Sequence, residues 1–546
     1  MKAPIHSEIV KNAIRAITPL NHDYWFEKLP QVLNDDSAAK VCSYIDYGVP
    51  IFYEGDIITV ESPNWPSANL YSEQVTEVVN RDVSMHRLLG PFKKPPFENY
   101  KISPLGAFER KNSGKVRIIH DLSFPPTNSV NDGIEKENCT LAYISIDDAV
   151  EICRSQNNHV YMSKIDLKEA FKFVPCEPRS WPLLGFSWQD SKGQNQYYFS
   201  QVLPFGMRSS PKVFDIIADA LQKIMIYNGA SIYTLRYMDD FITISTDYDS
   251  TLASLNVILD TCRRAGFEVQ PSKVTLPSKV IEFLGIEIDV NVGQLRITEE
   301  RLKEIKNELS EWESRKKCTK RQLLSIIGKL MFVSRVVRTG RAFVGRLIEL
   351  SKKTKYLHYF IYLNKEARGD LRWWQKCIAS HNGVRMFDLD WTSSMTLHLW
   401  SDASDVAAAA TYGDEWFYVT YSGSASWMLQ MTICWRELYA LVKAICTWGH
   451  NLQNKQLCLH VDNMGVVYSV NKLYSRSPPI MSLIRSLCLL VELYHIDIYA
   501  EYISTTDNVA ADALSRLDMD SFRAVRPTAN KYMTWPSQFD YDGNLI

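Results

Sequence analysis

The chain has 546 residues, and its 61 Lys and Arg against 62 Asp and Glu give a formal net charge of -1. This balance provides no overall attraction for nucleic acid, so a nucleic-acid partner would have to meet a local basic surface. Hydrophobic residues make up 46% of the chain and aromatic residues 12%. Such a composition supports several folded domains and excludes wholesale disorder.

The cysteine pattern and the hydropathy narrow the class of protein further. The 11 cysteines are scattered and form no C-x-x-C pair, so neither a zinc-finger nor a thioredoxin-like motif is present. Reduced, buried thiols are the simplest interpretation, and they are typical of a cytoplasmic or nuclear protein. The N-terminus lacks the apolar core of a signal peptide, and no apolar run approaches the ~18 residues of a membrane span, so we expect no membrane partner.

The first half of the chain predicts alternating strands and helices after a region of unknown role. Residues 1–90 mix short apolar stretches with Pro and Asn, and the Pro-rich segment Gly90–Phe97 predicts a rigid connector with a domain boundary. Beyond it, the periodicity predicts strands over 116–120, 160–165, 233–237 and 241–245, and a helix over 212–226.

The second half predicts a basic helical segment followed by another α/β unit. Between Arg301 and Lys376 there are 20 Lys and Arg against 7 Asp and Glu. Solvated helix faces would explain this charge as well as a nucleic-acid surface would. Thr319 with Gln322 predicts a capping box at a helix start. Further along, we expect strands over 395–400 and 457–461, helices over 435–448 and 508–517, and a tail over 518–546.

Three aspartates of the first half stand where rigid strands end. Asp166 ends one predicted strand, while Asp239 and Asp240 occupy the turn of a predicted hairpin. Carboxylates held in this way can bind two divalent ions for phosphoryl transfer, and Mg²⁺ prefers such oxygen ligands. An Asp-Asp pair alone is more often a solvated turn, so the interpretation depends on the surrounding motifs.

Those motifs give the aspartates a family context. The segments 166–171 (DLKEAF), 203–211 (LPFGMRSSP) and 237–240 (YMDD) follow one another in the order found in retroelement reverse transcriptases, and the chain resembles that family. The resemblance implies an α/β fold, with a right-hand polymerase of palm, fingers and thumb. It also implies that Asp166 and Asp239 are the main metal ligands and that Asp240 is the third carboxylate.

The resemblance assigns further roles at matching positions. Phe171 matches the aromatic residue that excludes a 2'-hydroxyl, although a plain core phenylalanine is the alternative. Lys273 matches a proton donor to pyrophosphate. The residues implied to bind the nucleotide are Arg110, Lys115, Arg117, Phe171, Phe205, Gly206, Tyr237 and Met238. The residues implied to grip the primer are Phe283, Leu284 and Gly285. Phe205 stands where retroviral enzymes carry glutamine, and gypsy-type elements also have Phe at this position.

More local wording points to one class of retroelement. The segments 119–123 (IHDLS), 129–132 (SVND), 336–338 (VVR) and 475–477 (SRS) resemble the DIRS and Ngaro class. These elements pair the polymerase with a tyrosine recombinase, so the resemblance implies such a recombinase of the same element as a partner.

A second acidic set lies in the last third of the chain. Asp402 follows a predicted strand, Glu437 lies on a predicted helix, Asp462 ends another strand and Asp512 lies in a final helix. In this order the four acids resemble the active site of ribonuclease H, whose acids hold two metal ions. Two features depart from that family. Ala407 and Ala409 replace frequent glycines, and Tyr502 replaces a frequent histidine that assists turnover, so we expect slower cleavage.

Taken together, the sequence predicts an RNA-directed DNA polymerase with ribonuclease H activity. Its expected cofactors are two Mg²⁺ or Mn²⁺ ions in each site. Its expected partners are an RNA template, a DNA primer, the RNA–DNA hybrid and deoxynucleoside triphosphates. The predicted domains are 1–90 (unknown role), 91–300 (fingers and palm), 301–390 (thumb and connection), 391–517 (ribonuclease H-like, with a mixed sheet) and 518–546 (tail). A retired retroelement copy that only binds nucleic acid, and a nuclease whose polymerase half is scaffold, remain as alternatives.

Overall fold

The computed structural model of the chain describes residues 15–537, except 110–113, 115, 158, 191, 382–384 and 387–395. Its fold is mixed α/β, as the sequence predicts, and it divides between Phe283 and Leu284 into two compact units. Arg110 and Lys115 lie outside the described residues. Within the described part, no helix combines the length and the apolar character needed to cross a bilayer.

The first unit contains seven α-helices and twelve strands among its described residues. The helices are α1 (His22–Val32), α2 (Asp35–Tyr47), α3 (Pro66–Leu70), α4 (Ser72–Ser84), α5 (Ile146–Ser155), α6 (Ser210–Tyr227) and α7 (Tyr248–Ala265). The strands are β1 (Val60–Glu61), β2 (Leu88–Phe92), β3 (Lys101–Ile102), β4 (Leu105–Glu109), β5 (Val116–His120), β6 (Tyr161–Asp166), β7 (Gly185–Gln189), β8 (Asn195–Ser200), β9 (Thr234–Tyr237), β10 (Asp240–Ser245), β11 (Thr275–Ser278) and β12 (Val280–Phe283).

A four-stranded antiparallel sheet in the order β11-β6-β10-β9 forms the centre of this unit. Helices α6 and α7 pack against it. In α6, Val213, Phe214 and Ile217 are fully buried because their three- and four-residue spacing places them on one helix face. Helix α7 begins at the cap Asp247, which accepts from the Ser250 backbone at 2.8 Å. The Asp247 cap fixes the start of α7, and the apolar face of α6 packs into the core beside the sheet.

The predicted connector around Gly90 is not a linker in the structure. Strand β2 contains Gly90 and Pro91 and pairs with β8 at the edge of a five-stranded sheet, β1-β3-β7-β8-β2. A proline is tolerated there because an edge strand leaves one row of amides unpaired. The preceding residues also pack into the same unit, since the Trp25 indole donates to the Ala265 carbonyl at 2.9 Å. Described residues on both sides of position 90 therefore pack within one compact unit, which ends at Phe283.

The second unit consists of a helical segment and a larger sheet. Its helices are α8 (Glu299–Trp312), α9 (Lys320–Val333), α10 (Gly345–Ser351), α11 (Lys365–His381), α12 (Ile433–Trp448), α13 (Met464–Lys472), α14 (Pro478–Tyr494), α15 (Val509–Ser515) and α16 (Met519–Val525). Its strands are β13 (Ile286–Asp289), β14 (Gln294–Ile297), β15 (Lys317–Thr319), β16 (Phe360–Tyr362), β17 (Arg385–Met386), β18 (Leu397–Ala403), β19 (Ala407–Tyr412), β20 (Glu415–Thr420), β21 (Gln456–Val461) and β22 (Asp497–Tyr502). The capping box of Thr319 and Gln322 is present at the start of α9, as predicted.

The larger sheet has the order β20-β19-β18-β21-β22. Strands β18, β19 and β20 are antiparallel neighbours, whereas β18, β21 and β22 run parallel, so the predicted mixed sheet is confirmed. Helix α12 packs on β18 and β19. Because parallel strands end at the same edge, residues that follow β18 and β21 come close together.

The segment predicted to be a tail is folded up to residue 537. Helix α16 carries Phe522, which is fully buried against Trp416 with ring centroids 5.3 Å apart. Backbone bonds from Asn530 to Asp414 and from Thr534 to Trp416 continue the packing. A single buried aromatic residue anchors a stretch whose periodicity is too weak to predict a helix.

A buried ion pair lies inside the second unit and gives a stability prediction. Arg485 and Asp370 are 4% and 0% exposed; the guanidinium of Arg485 bonds the Asp370 carboxylate and also donates to the Ala342 carbonyl at 2.7 Å. Burial raises the pKa of Asp370 to about 6, and Arg485 opposes that rise. Replacing Arg485 by Met would leave a buried carboxylate without its main partner, which typically costs about 3–5 kcal/mol.

We expect Arg485→Met to lower the melting temperature of the second unit by roughly 6 °C or more. Scanning calorimetry of the full chain measures this, and the matched variant Arg476→Met, at an exposed arginine, is expected to leave it unchanged. Equal melting temperatures for the two variants would show that the pair contributes nothing to stability.

Candidate active sites

The three aspartates of the first unit meet at one end of the four-stranded sheet. Strands β6 and β10 are antiparallel, with Asp240 directly opposite Asp166. Asp239 lies in the tight turn between β9 and β10, where Met238 adopts a positive φ of 57°. The Leu167 amide donates to the Asp239 carbonyl at 3.0 Å, which fixes the turn against the end of β6. Register and turn together therefore cluster the carboxylates, as the motifs require.

The cluster carries more negative charge than the nearby cation offsets. Lys273 Nζ lies 2.5 Å from Asp166 Oδ2. Burial, together with repulsion from Asp166, raises the pKa of Asp239. Burial and repulsion from both neighbouring aspartates raise the pKa of Asp240 to about 7. Three oxygen-donor carboxylates that repel one another in this way fit the ligand preference of a divalent hard cation.

Phe171, five residues after Asp166 in the chain, lies in a stack of aromatic rings. Its ring centroid is 5.0 Å from that of Phe205 and 5.0 Å from that of Phe214. Phe214 is fully buried, Phe171 is half-buried and Phe205 is 40% exposed, so the stack leads from the core to the surface. The Arg117 guanidinium lies 5.5 Å from the Phe205 ring. The structure thus brings Phe171, Phe205 and Arg117 together.

The loop that carries Phe205 is tied to the strand-end motif of residues 119–132. The Asn131 amide nitrogen donates to the Gly206 carbonyl at 2.9 Å, and the Asn131 side-chain oxygen accepts from the Arg208 amide at 2.7 Å. Gly206 has a φ of 93°, and an added Cβ would lie 3.1 Å from the His120 carbonyl. A glycine is therefore required at this close approach.

Tyr237 and the residues predicted to grip the primer occupy two other turns. Tyr237 ends β9, and its ring lies 4.9 Å from that of Tyr143. Phe283 is 1% exposed, whereas Leu284 and Gly285 both adopt positive φ values, 51° and 77°. The φ of Gly285 favours glycine, whereas an added Cβ would meet only the end of the flexible Arg301 side chain, at 3.0 Å.

An ion-pair network that the sequence did not indicate supports the loop before Phe171. Glu169 has a positive φ of 48°, and its carboxylate accepts from Arg81 and Arg87, each at 2.9 Å. Burial opposes ionisation of Glu169, but Lys172, Arg87 and Arg81 outweigh it and lower its pKa to about 2. Both arginines belong to residues 1–90, where no motif marked them, so only the fold could reveal their role.

The second acidic set also converges. Asp402 lies in β18, Asp462 follows β21, Glu437 is in α12 and Asp512 is in α15. Asp402 and Glu437 are 4% and 5% exposed. Burial, then repulsion from Asp462, raises the pKa of Glu437 to about 8. Burial also raises the pKa of Asp402 to about 6, and Asp462 and Asp512 add repulsion.

Two carboxylate oxygens of this set have no hydrogen-bond partner among the residues that the structure describes, although both are buried. They are Glu437 Oε2 and Asp462 Oδ1. Buried polar atoms in a native protein usually have a partner, because an unsatisfied one costs about 1–3 kcal/mol. Oxygen atoms left in this way beside two further acids fit a divalent cation as their missing partner.

Neighbouring polar side chains orient three of the four acids. Thr505 donates to Asp462 Oδ2 at 2.8 Å, and Asn463 donates to Glu437 Oε1 at 3.2 Å. Arg516 donates to Asp512 Oδ1 at 2.8 Å. Thr505 and Arg436, which donates to the Ser404 carbonyl at 2.8 Å, were not singled out from the sequence. Arg436 directly precedes Glu437, and that adjacency is the one signal that would have indicated it.

The departures from the ribonuclease H pattern fall at well-defined places. Ala407 and Ala409 lie in β19 and are fully buried, so their methyl groups fill space that glycine would leave empty. Tyr502 ends β22 and is 49% exposed. Ala409 lies directly opposite Asp402 in the β18–β19 pair, and the expectation of slower turnover stays a prediction.

Comparisons with known proteins find similarity over part of the chain. The enzymatic polyprotein of Cestrum yellow leaf curling virus is 26% identical over 199 residues, which are 36% of this chain and 27% of that polyprotein. The Gag-Pol polyprotein of woolly monkey sarcoma virus is 30% identical over 132 residues, 23% of this chain and 8% of that polyprotein. This chain therefore spans between 8% and 27% of the length of these two relatives.

Among solved structures, a foamy viral protease-reverse transcriptase in complex with double-stranded DNA is 16% identical, with a TM-score of 0.49 over 88% of this chain and 81% of that one. The sequence match is more specific, and its range contains Asp166, Asp239, Asp240 and Lys273. Residues 111–288 match the family described as reverse transcriptase (RNA-dependent DNA polymerase), which confirms at that level the resemblance seen in the motifs.

Proposed function

We propose that this chain is an RNA-directed DNA polymerase that also cleaves the RNA strand of an RNA–DNA hybrid. The observation that carries the polymerase half is the register of β6 and β10, which sets Asp240 opposite Asp166 and places Asp239 in the adjoining turn. An ordinary solvated Asp-Asp turn would not explain a third aspartate, Asp166, on the neighbouring strand. It would also not explain Lys273, whose Nζ lies 2.5 Å from the Asp166 carboxylate.

Each residue of the polymerase site has a distinct proposed task. Asp166, Asp239 and Asp240 would hold two divalent ions, Mg²⁺ or Mn²⁺, which when bound supply activation of the attacking 3'-hydroxyl and stabilisation of the leaving pyrophosphate. Lys273, 57% exposed at its side chain, would donate a proton to that pyrophosphate. Arg117 would bind the triphosphate of the incoming nucleotide, and a guanidinium suits this because it makes paired hydrogen bonds to phosphate.

The ribonuclease half of the proposal depends on Asp402, Glu437, Asp462 and Asp512. Their convergence, the unpartnered Glu437 and Asp462 oxygens, and the raised pKa of Glu437 all favour a two-metal site. When bound, the ions would activate a water molecule that attacks the scissile RNA phosphate. Thr505 and Asn463 would keep the carboxylates oriented for that attack.

The basic segment between Arg301 and Lys376 would track the backbone of the template and primer. Contacts of this kind need no base reading, and they make binding fall steeply with salt. The hybrid itself would be recognised by its shape and by its 2'-hydroxyls. The proposed partners are therefore an RNA template, a DNA primer, their hybrid and deoxynucleoside triphosphates.

The retroelement class is part of the proposal. The segments that resemble the DIRS and Ngaro class include 119–123 and 129–132. Asn131, in the second of these, forms hydrogen bonds with the backbone of Gly206 and Arg208. The class would make the copied template a retroelement RNA, and it would make a tyrosine recombinase of the same element a partner.

One assay tests both proposed activities. The full chain is incubated with a labelled RNA template and DNA primer, with and without Mg²⁺, and both strands are followed. We expect primer extension and shortening of the RNA, each dependent on the metal ion. If the chain binds the hybrid yet neither extends nor cuts, the alternative of a retroelement copy kept only for nucleic-acid binding is correct. If it cuts without extending, the polymerase half is scaffold.

Phe171→Val is expected to let ribonucleotides into the growing strand. The ring lies against Phe205 and Phe214, and removing it takes away the plane that would clash with a 2'-hydroxyl. A steric clash discriminates more strongly than the loss of a favourable contact, so we expect the preference for deoxynucleotides to fall by at least ~100-fold. The ratio of kcat/KM for dGTP and GTP measures this change.

Leu221→Val provides the matched control for Phe171→Val, because Leu221 is a buried apolar residue of the same core. Its selectivity should equal that of the wild type. Unchanged ribonucleotide use in Phe171→Val would show that Phe171 is only a core residue.

A further inference from the structure

A cluster of soft and borderline metal ligands lies on the mixed sheet, apart from the four acids of the ribonuclease-like site. Among the described residues, His398, Cys458 and His460 each offer one ligand atom, and these atoms all lie within 4.8 Å of one another. His398 belongs to β18 and the other two belong to β21. The pattern of cysteines gives no hint of this site, because only one of its ligands is a cysteine.

The strand register explains why these side chains meet. His398 is directly opposite Cys458 in the parallel pair β18–β21, and Trp400 is opposite His460. Side chains two residues apart share a sheet face, so all four lie on the same face. In the next pair, His460 is opposite Glu501 of β22. Three neighbouring strands therefore contribute to one polar cluster on a rigid surface.

A hydrogen bond joins the two imidazoles, and the spacing of its two nitrogens is close to that of two ligands of a small cation. His398 Nδ1 lies 2.8 Å from His460 Nε2. Two nitrogen ligands of a tetrahedral Zn²⁺ lie about 3.3 Å apart, given Zn–N distances of about 2.0–2.1 Å. A separation of the rings by a few tenths of an ångström would therefore admit the ion. The Trp400 ring stacks on His460 at 4.9 Å and holds that imidazole in place.

The second imidazole nitrogen of His460 supplies an independent observation. His460 is 9% exposed, and among the described residues its Nδ1 is buried without a hydrogen-bond partner. The nearest carboxylate oxygen, Glu501 Oε2, lies 3.7 Å away, within ion-pair distance but beyond a hydrogen bond. The same oxygen is 3.6 Å from Cys458 Sγ. In metal sites, a ligating histidine usually donates its other N–H to a carboxylate, and Glu501 is the carboxylate nearest to that nitrogen.

We propose that His398, Cys458 and His460 bind one Zn²⁺ ion through Nδ1, Sγ and Nε2, with Glu501 accepting from His460 Nδ1 and the fourth position open to solvent. A thiolate and two imidazoles are ligands that Zn²⁺ favours, whereas Mg²⁺ and Ca²⁺ prefer oxygen. Binding would release the thiol proton of Cys458 to solvent. It would link β18, β21 and β22 at a place four residues, or about 13 Å, before Asp402 along β18 and two residues, or about 7 Å, before Asp462 along β21.

The thiol of Cys458 has to lose its proton when it binds an ion. Burial and the Glu501 carboxylate raise the pKa of Cys458 to about 12, so without a cation the thiol stays protonated. Zn²⁺ would therefore bring Cys458 into its thiolate form by direct coordination.

Cobalt provides the test, because a Co²⁺–thiolate bond gives an absorption band that carboxylate ligands do not give. The full chain is stripped with EDTA, supplied with excess Mg²⁺ to fill the acidic sites, and titrated with Co²⁺. We expect a thiolate-to-cobalt charge-transfer band that saturates at one equivalent and disappears when Zn²⁺ is added. Absence of the band would overturn the proposal.

Variants assign the band to this cluster. Cys458→Ser should abolish it, and the matched Cys446→Ser, at a half-buried cysteine of the same unit, should keep it. His398→Ala, at an exposed side chain that folding does not require, should weaken Co²⁺ binding by at least ~10-fold, and Glu501→Gln should weaken it about 10–100-fold. A band of unchanged affinity in His398→Ala, with unchanged circular dichroism, would exclude the site even if Cys458→Ser fails to fold.

The readout is independent of catalysis. A chain that never extends a primer would still show the band if the zinc site is real, and an active polymerase would lack it if the proposal is wrong. Zn²⁺ at one equivalent is also expected to raise the melting temperature of the wild type by at least about 4 °C and to leave that of Cys458→Ser unchanged.

Discussion

Asp239→Asn is expected to reduce DNA synthesis to below a few per cent of the wild-type rate while leaving hybrid binding nearly intact. The side chain lies in the turn beside Asp166 and Asp240, and burial already raises its pKa. An amide keeps the shape of the turn but offers one fewer anionic ligand for a divalent ion. Because the loss falls on the chemical step rather than on substrate binding, kcat should fall far more than affinity.

Primer extension and hybrid affinity are both measured for this variant. The matched control Asp260→Asn replaces an exposed aspartate on α7 that pairs with Arg263, and it should behave as the wild type. Residual synthesis above a few per cent in Asp239→Asn would exclude Asp239 as a principal metal ligand. Loss of hybrid affinity together with synthesis would instead indicate that the turn had collapsed.

The strands and helices that bear the acids could be predicted from sequence because their signals are local. The predicted helix over 212–226 corresponds to α6, and the strands over 116–120 and 241–245 correspond to β5 and β10 within one residue. Apolar periodicity and a capping residue are properties of a few neighbouring positions, so they are read without knowledge of the tertiary structure.

The features that escaped prediction depend on contacts between distant parts of the chain. Arg81 and Arg87 support Glu169 across 88 and 82 residues, and no local pattern encodes that pairing. Gly90 and Pro91 read as a connector, yet β8 pairs with their strand. His398 and Cys458 are 60 positions apart, and they meet only because β18 and β21 pair in this register.

The acids themselves are an intermediate case. That the four acids belong to one site could be recognised only through the motifs of a family, because they lie up to 110 positions apart. They are Asp402, Glu437, Asp462 and Asp512. The structure adds what the motifs lack, namely the unpartnered oxygens of Glu437 and Asp462. Buried carboxylate oxygens without a hydrogen-bond partner are the physical reason to expect cations there.

Glu437→Gln is expected to stop RNA cleavage and leave polymerisation intact, and Asp166→Asn is expected to do the reverse. Glu437 belongs to the second unit, whereas Asp166, Asp239 and Asp240 belong to the first. Each proposed metal pair is held by its own cluster, so a lost carboxylate should affect one reaction only. Burial and repulsion from Asp462 raise the pKa of Glu437 to about 8, so a neutral amide there relieves repulsion and should not unfold the unit.

One hybrid labelled on both strands measures the two reactions in the same tube. We expect RNA cleavage by Glu437→Gln to fall by at least ~100-fold with primer extension within about twofold of wild type, since removal of one ligand costs the chemical step. The control Glu349→Gln, at an exposed glutamate that pairs with Lys352, should retain both activities. Loss of polymerisation in Glu437→Gln, with normal circular dichroism and hybrid affinity, would contradict separate sites. Because Ala407, Ala409 and Tyr502 depart from the family pattern, the wild type is the decisive reference. If it extends primers but never cuts RNA, the four acids serve a domain that only holds the hybrid.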